Sequence, residues 1–120
     1  MTRTEIASMV GSLGVPYAYL TFQPDESGEI HQDLPACIFM DTEHPDLYAD
    51  DTNYTHIATY AWELYEDSVD FSLHDQLEAI LQAHGLTYVK QGTEWFDDQR
   101  YWATVYLFTV IINEETTNGE

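Results

Sequence analysis

The chain has 120 residues, of which 22 are acidic and three basic (Arg3, Lys90 and Arg100), giving a formal charge of −19 and an isoelectric point near 4.1. That balance excludes a binder of nucleic acid or of an anionic membrane, since both surfaces are held by cations. It leaves cationic partners, or charge that serves repulsion and solubility.

The first segment, TRTEIASMVGSLG, places Thr2 and Glu5 at the spacing of a capping box, in which hydroxyl and carboxylate each take a free backbone N–H. Ile6, Met9, Val10 and Leu13 then fall on one helix face, and Gly14 is placed to stop the helix. VPYAYLTF (15–22) reads as a strand, QPDESGEIHQD (23–33) as an exposed loop and LPACIFM (34–40) as a short apolar strand. Cys37 is the only cysteine, so the chain cannot close a disulfide on itself, and its apolar neighbours mark a small core residue rather than a reactive thiol. DTEHPDLYADD (41–51) is a second acidic loop.

Residues 54–65 predict a long strand. Tyr54, His56, Ala58, Tyr60, Trp62 and Leu64 share one face; Thr55, Ile57, Thr59, Ala61, Glu63 and Tyr65 share the other, and neither is clearly the wet one. EDSVD is a turn. Ser72 is expected to cap a second helix, with Asp75 near its positive end and Leu73, Leu77, Ile80 and Leu81 as its buried stripe before Gly85. LTYVKQ (86–91) is a short strand, and YWATVYLFTVII (101–112) is a strand apolar on both faces.

One domain over 1–113 is expected, followed by a disordered acidic tail at 114–120. With no signal-like start and no run of apolar residues long enough to span a bilayer, a product of the cytoplasm is expected. The element order predicts an α+β fold: a mostly antiparallel sheet of four to five strands with two helices packed on one face. Strands apolar on both sides need a second cover, from another layer, from the acidic loops or from another subunit. Large aromatics are enriched in interface cores, which favours the subunit.

No chemistry stands out. There is no phosphate-binding glycine loop, Ser12 in VGSLG is not on a strand-to-helix elbow, and Cys37 has no evident partner. His31, His44, His56, His74 and His84 are scattered without ligand spacing, so no metal and no cofactor is expected. Pro45-Asp46 followed by Glu63-Leu64-Tyr65 is a faint nuclease-like pattern, but tyrosine stands where that chemistry needs lysine. A non-enzymatic protein is expected.

The order of segments VPYAYLTF, LPACIFM, YADDTNY, AWELYEDSVD and GLTYVKQGTEWFDDQRYWATVYLF resembles the tail-completion (tail-terminator) proteins of long-tailed bacteriophages. Pro16, Tyr19, Phe22, Leu34, Pro35, Ala49, Asp50, Tyr54, Glu63, Leu64, Tyr65, Asp70, Tyr88, Lys90, Glu94, Tyr101 and Tyr106 carry the likeness, across about residues 15–110. Trp62 stands where the family usually has isoleucine, and EDSVD replaces a basic turn. The resemblance implies a virion protein of the head–tail interface, made in the host bacterial cytoplasm. It implies a homo-oligomer, commonly a six-membered ring, that caps the tail tube and meets the head connector while DNA passes through the hole without specific binding.

Under that reading the subunit-interface candidates are Trp62, Glu63, Tyr65, Lys90, Arg100, Trp102 and Tyr106. Lys90 and Arg100, scarce cations in an acidic field, are the candidates for intersubunit ion pairs. Asp41, Glu43, Asp46, Asp50, Asp51, Glu66, Asp67 and Asp70 are candidates for an acidic lumen or partner face. The competing expectations are an acidic DNA mimic that blocks a host DNA-binding or restriction protein, and another small head–tail connector component.

Overall fold

A computed structural model of the chain describes residues 1–22, 32–43 and 56–113. Its elements are α1 (Arg3–Gly11), β1 (Tyr17–Tyr19), β2 (Ala36–Glu43), β3 (His56–Glu66), α2 (Phe71–Ala83), β4 (Tyr88–Phe96) and β5 (Tyr101–Ile112). The five strands form one sheet in the order β1-β2-β3-β5-β4. β1 runs parallel to β2, and every other pairing is antiparallel. The fold is α+β, as the element order predicts.

The capping box at the start of α1 forms as expected: the Thr2 hydroxyl accepts from the Glu5 N–H at 3.1 Å, and the Glu5 carboxylate accepts from the Thr2 N–H at 2.7 Å. The helix ends at Gly11, with Ser12 as its C-cap. Gly14, at φ +91°, takes the left-handed bend that follows, a region glycine enters without steric cost. The terminal ammonium of Met1 donates to the Ile111 carbonyl at 2.7 Å, which ties the start of α1 to the end of β5.

The second helix starts earlier than expected. Asp70, not Ser72, is the N-cap, its carboxylate accepting from the Ser72 N–H at 3.0 Å. An aspartate can form this bond from the last extended residue before the helix, and that position falls at 70. Asp70→Ala should therefore cost about 1 kcal/mol of stability, read from the midpoint of urea unfolding, whereas Ser72→Ala should change little. Leu73, Leu77 and Leu81 are buried as the stripe predicts; Ile80 is only partly covered, and His74 joins the buried set.

Strand alternation divides the sheet into two unlike faces. On one, Phe39, Tyr60, Trp62, Leu64, Tyr106, Phe108, Val110 and Ile112 pack with Ile6, Met9 and Val10 of α1, with Leu13 just beyond it, and with Leu73, Leu77 and Leu81 of α2 in a single cluster. Each such side chain contributes roughly 1.5–3 kcal/mol on leaving water. The other face carries Ile38, Met40, Ala61, Glu63, Tyr65, Ala103, Val105 and Leu107, in register across β2, β3 and β5. Neither helix packs on it, and Ile57 and Ile111 at its far end are 46% and 51% exposed.

β4 is longer than its expected extent of 86–91 because a bulge lets it continue. Its register against β5 shifts by one residue between Lys90 and Thr93, where Gly92 sits at φ +106°. An extra residue reverses the direction of every side chain that follows. Val89, before the bulge, faces Leu107 on the open side. After it, Glu94 lies opposite Ala103 and Phe96 opposite Tyr101, again on the open side. Trp95 is sent to the helix side, where its ring centroid lies 5.2 Å from that of Trp102. The turn to β5 closes through the Arg100 N–H donating to the Phe96 carbonyl at 2.7 Å, with Arg100 itself at φ +63°.

Candidate interaction surface

The open face has one chemically distinctive place. Running across it from β4 to β2, the row Glu94, Ala103, Tyr65, Ala36 alternates large and small side chains. The small members leave a hollow over β5. With Gly92 beneath and Phe96, Tyr65 and Tyr101 as walls, the result is a pocket of about 380 Å³ that also takes in Glu63 and Glu94. A wider hollow of about 640 Å³ adjoins it, sharing Tyr65 and Tyr101 and lined further by Phe22, Leu34 and Ile38.

The pocket is negative and aromatic. The Tyr65 hydroxyl donates to the Glu63 carboxylate, and the Tyr65 and Tyr101 rings meet edge to face with centroids 4.8 Å apart. Burial, and the proton held against Glu63, keep the Tyr65 hydroxyl far above the ordinary tyrosine range; burial and the Glu63 charge also raise Tyr101. A carboxylate that makes neighbouring phenols harder to ionise is equally a site that favours cations.

The helix side is held by polar networks. Glu78 of α2 accepts from the Tyr106 hydroxyl at 2.7 Å and the Tyr88 hydroxyl at 3.2 Å, and lies 3.5 Å from the Lys90 ammonium. Burial alone would raise the Glu78 carboxyl, but the two phenols and Lys90 bring it below its ordinary 4.5. A carboxylate depressed on folding adds stability above its unfolded value and loses it as pH falls through the folded one. Glu78→Gln should thus be less stable than wild type at neutral pH, and the gap in urea midpoints should close below about pH 4.5.

Deeper in the same side, His74 Nε2 and Glu66 Oε1 lie 2.6 Å apart with both side chains 2% exposed, and Glu66 Oε2 accepts from the Asp70 N–H at 3.0 Å. His74 Nδ1 has no partner, which fits the tautomer that carries its proton on Nε2. Trp62 Nε1 is also without an acceptor of hydrogen-bonding geometry. The Cys37 thiol beside it is a weak acceptor, and burial pushes that thiol up to about 11, the indole pulling the other way. Cys37 is a core residue, as its setting predicts.

Several expected site residues need correction. Trp62 and Tyr106, expected at a subunit boundary, are both 0% exposed, because the phase of β3 and β5 turns them under the helices. Glu66, expected on an acidic surface, is 1% exposed and spent on His74 and the Asp70 N–H. Lys90 is engaged with Glu78 inside its own chain. Glu63 and Tyr65 do lie on the open face; Trp102 stays half-exposed against Trp95, and Arg100 is exposed at the end of the β4–β5 turn. Asp41 is half-buried and accepts from the Tyr19 hydroxyl, pushing Tyr19 up to about 12. Asp67 and Asp70 are exposed. Asp46, Asp50, Asp51 and the tail at 114–120 lie outside the described residues, as does the side chain of Glu43.

Glu94, Phe96 and Tyr101 as one site, and the Glu66–His74 pair, are not singled out by the sequence. The signal for the first was Gly92 in KQGTE, a glycine within a strand pattern that marks a bulge. Among the described residues, no group of three or more histidine, cysteine, aspartate or glutamate side chains could hold a metal ion, and no helix is long and apolar enough to cross a membrane. No protein-family model matches the chain, and no curated protein matches it.

Proposed function

We propose that this protein is a non-catalytic structural component of a long-tailed phage virion, a tail-completion protein. Its copies close into a ring on the finished tail tube and present a surface to the head connector, while DNA passes through the centre. The observation that carries this reading is the second face of the sheet. It is predominantly apolar, extends over β2, β3, β5 and β4, and neither helix covers it. On a chain of −19 charge, the exposed apolar residues of that face, Ile57, Val89, Phe96 and Ile111, suit contact with a specific partner. The segment order described above points to further copies and a tail tube, and a negative lumen would keep the duplex from sticking.

The charge by itself equally suits a mimic of DNA, but such a mimic needs exposed carboxylates in rows. Of the described candidates, Asp67 and Asp70 are exposed, but Glu66 is buried and Asp41 is tied to Tyr19, and a mimic gives no role to the apolar sheet face. Electron microscopy of purified tail tubes with added protein tests the reading. Ring density at one tube end and arrested tube growth are expected. Bare tubes and a protein that competes DNA away from a basic host protein would replace it with the mimic.

A further inference from the structure

The cations of this chain are few enough to follow one by one. Arg3 is engaged within the chain, and Lys90 reaches Glu78. Arg100 makes no ion pair with any described residue, although Asp97 and Asp98 share its turn. It is exposed as the last residue of the β4–β5 turn, with its backbone fixed at φ +63°. The pocket bounded by Glu63, Glu94, Tyr65, Phe96 and Tyr101 has the converse character, carboxylates and aromatic walls with no cation among its lining residues.

We infer that these are the two halves of one contact between copies: Arg100 of one copy seats in the Glu63–Glu94 pocket of its neighbour. The inference rests on the self-association proposed above and goes beyond it by naming the residues that meet. Copies with a charge of −19 repel one another, so a contact between them needs a local cation at the point of approach. Arginine suits this pocket better than lysine would, since its planar fork pairs with carboxylates and its flat face lies against aromatic rings. Arg100 directly precedes Tyr101, a wall of the pocket in its own chain, yet forms no ion pair there with Glu63 or Glu94. A cation without an ion pair to any described residue and an anionic pocket with no cation in its lining, both on one molecule, permit head-to-tail contacts, the type from which rings close.

The test uses two variants of the full chain. Arg100→Glu keeps the pocket and removes the cation; Glu94→Arg keeps Arg100 and spoils the pocket. Both positions are exposed, so circular dichroism and unfolding midpoints should match wild type. In sedimentation velocity over a concentration series, wild type is expected to form species larger than two copies, more weakly as salt rises. Each variant alone should associate about tenfold or more weakly. An equimolar mixture should recover association beyond pairs, because one contact between the two variants keeps the original pairing and the other swaps its two charges. Variants that associate like wild type, or a mixture no better than either alone, overturn the contact. Rings that still close on tail tubes with Arg100→Glu overturn it while leaving the ring reading intact. A wild-type chain that stays monomeric both free and at tube ends overturns the two together.

Discussion

Trp62→Ala is expected to destabilise the fold by about 4 kcal/mol, the cost typical of removing a fully buried large aromatic. Trp62 is 0% exposed, and its cluster joins β3 to both helices, so the cavity would open where α1, α2 and the sheet meet. Equilibrium unfolding in urea, followed by far-UV dichroism, measures the loss. Trp62→Phe should recover more than half of it, because it keeps most of the volume and removes an indole N–H that has no acceptor. A loss below about 1 kcal/mol for the alanine variant would show that the indole is not packed as described. The result also bears on assembly: a Trp62 variant that fails to form rings does so through its core, and says nothing of the interface.

Glu66→Ala is the second large effect, expected at about 3 kcal/mol. The carboxylate satisfies His74 Nε2 in a buried site and the Asp70 N–H in a half-buried one. Removing it leaves a buried imidazole donor unpaired at the point where β3 hands over to α2. His74→Leu alone should also cost stability, since it leaves a buried Glu66 oxygen without its donor. The double variant Glu66→Met/His74→Leu should recover most of either loss, as a well-packed apolar pair replaces a buried polar one. The double-mutant cycle from four urea curves gives the coupling directly, and strict additivity of the two losses would contradict a buried pair.

The helices were legible because their signals are local. Thr2 and Glu5 form a cap wherever the following residues coil, and Ile6, Met9 and Val10 line up through the helical repeat alone; Leu13 joins the core from the turn after Gly11, short of the expected stop at Gly14. Ser72 for Asp70 came from two nearby good caps whose choice depends on where β3 ends. Strand existence was legible too, since 56–66 and 101–112 are rich in β-branched and aromatic residues. The parallel placement of the three-residue β1 beside β2 was not, because nothing within Tyr17–Tyr19 encodes the direction of its neighbour.

Composition, periodicity and caps thus carried the α+β class, the acidic surface and the presence of two apolar sheet faces, all properties summed along the chain. Which of those faces the helices would claim depended on long-range register. Packing buried Trp62 and Tyr106 and left Glu63 and Tyr65 on the side without a helix, an assignment that alternation states only up to an overall flip. The pocket needed still more. Glu94 and Phe96 reach it because one bulge at Gly92 reverses the rest of β4, and Arg100 stands clear because the turn that follows fixes it there. Such a site is made by strands far apart in the chain, brought level by hydrogen-bond ladders whose register no single stretch of residues contains.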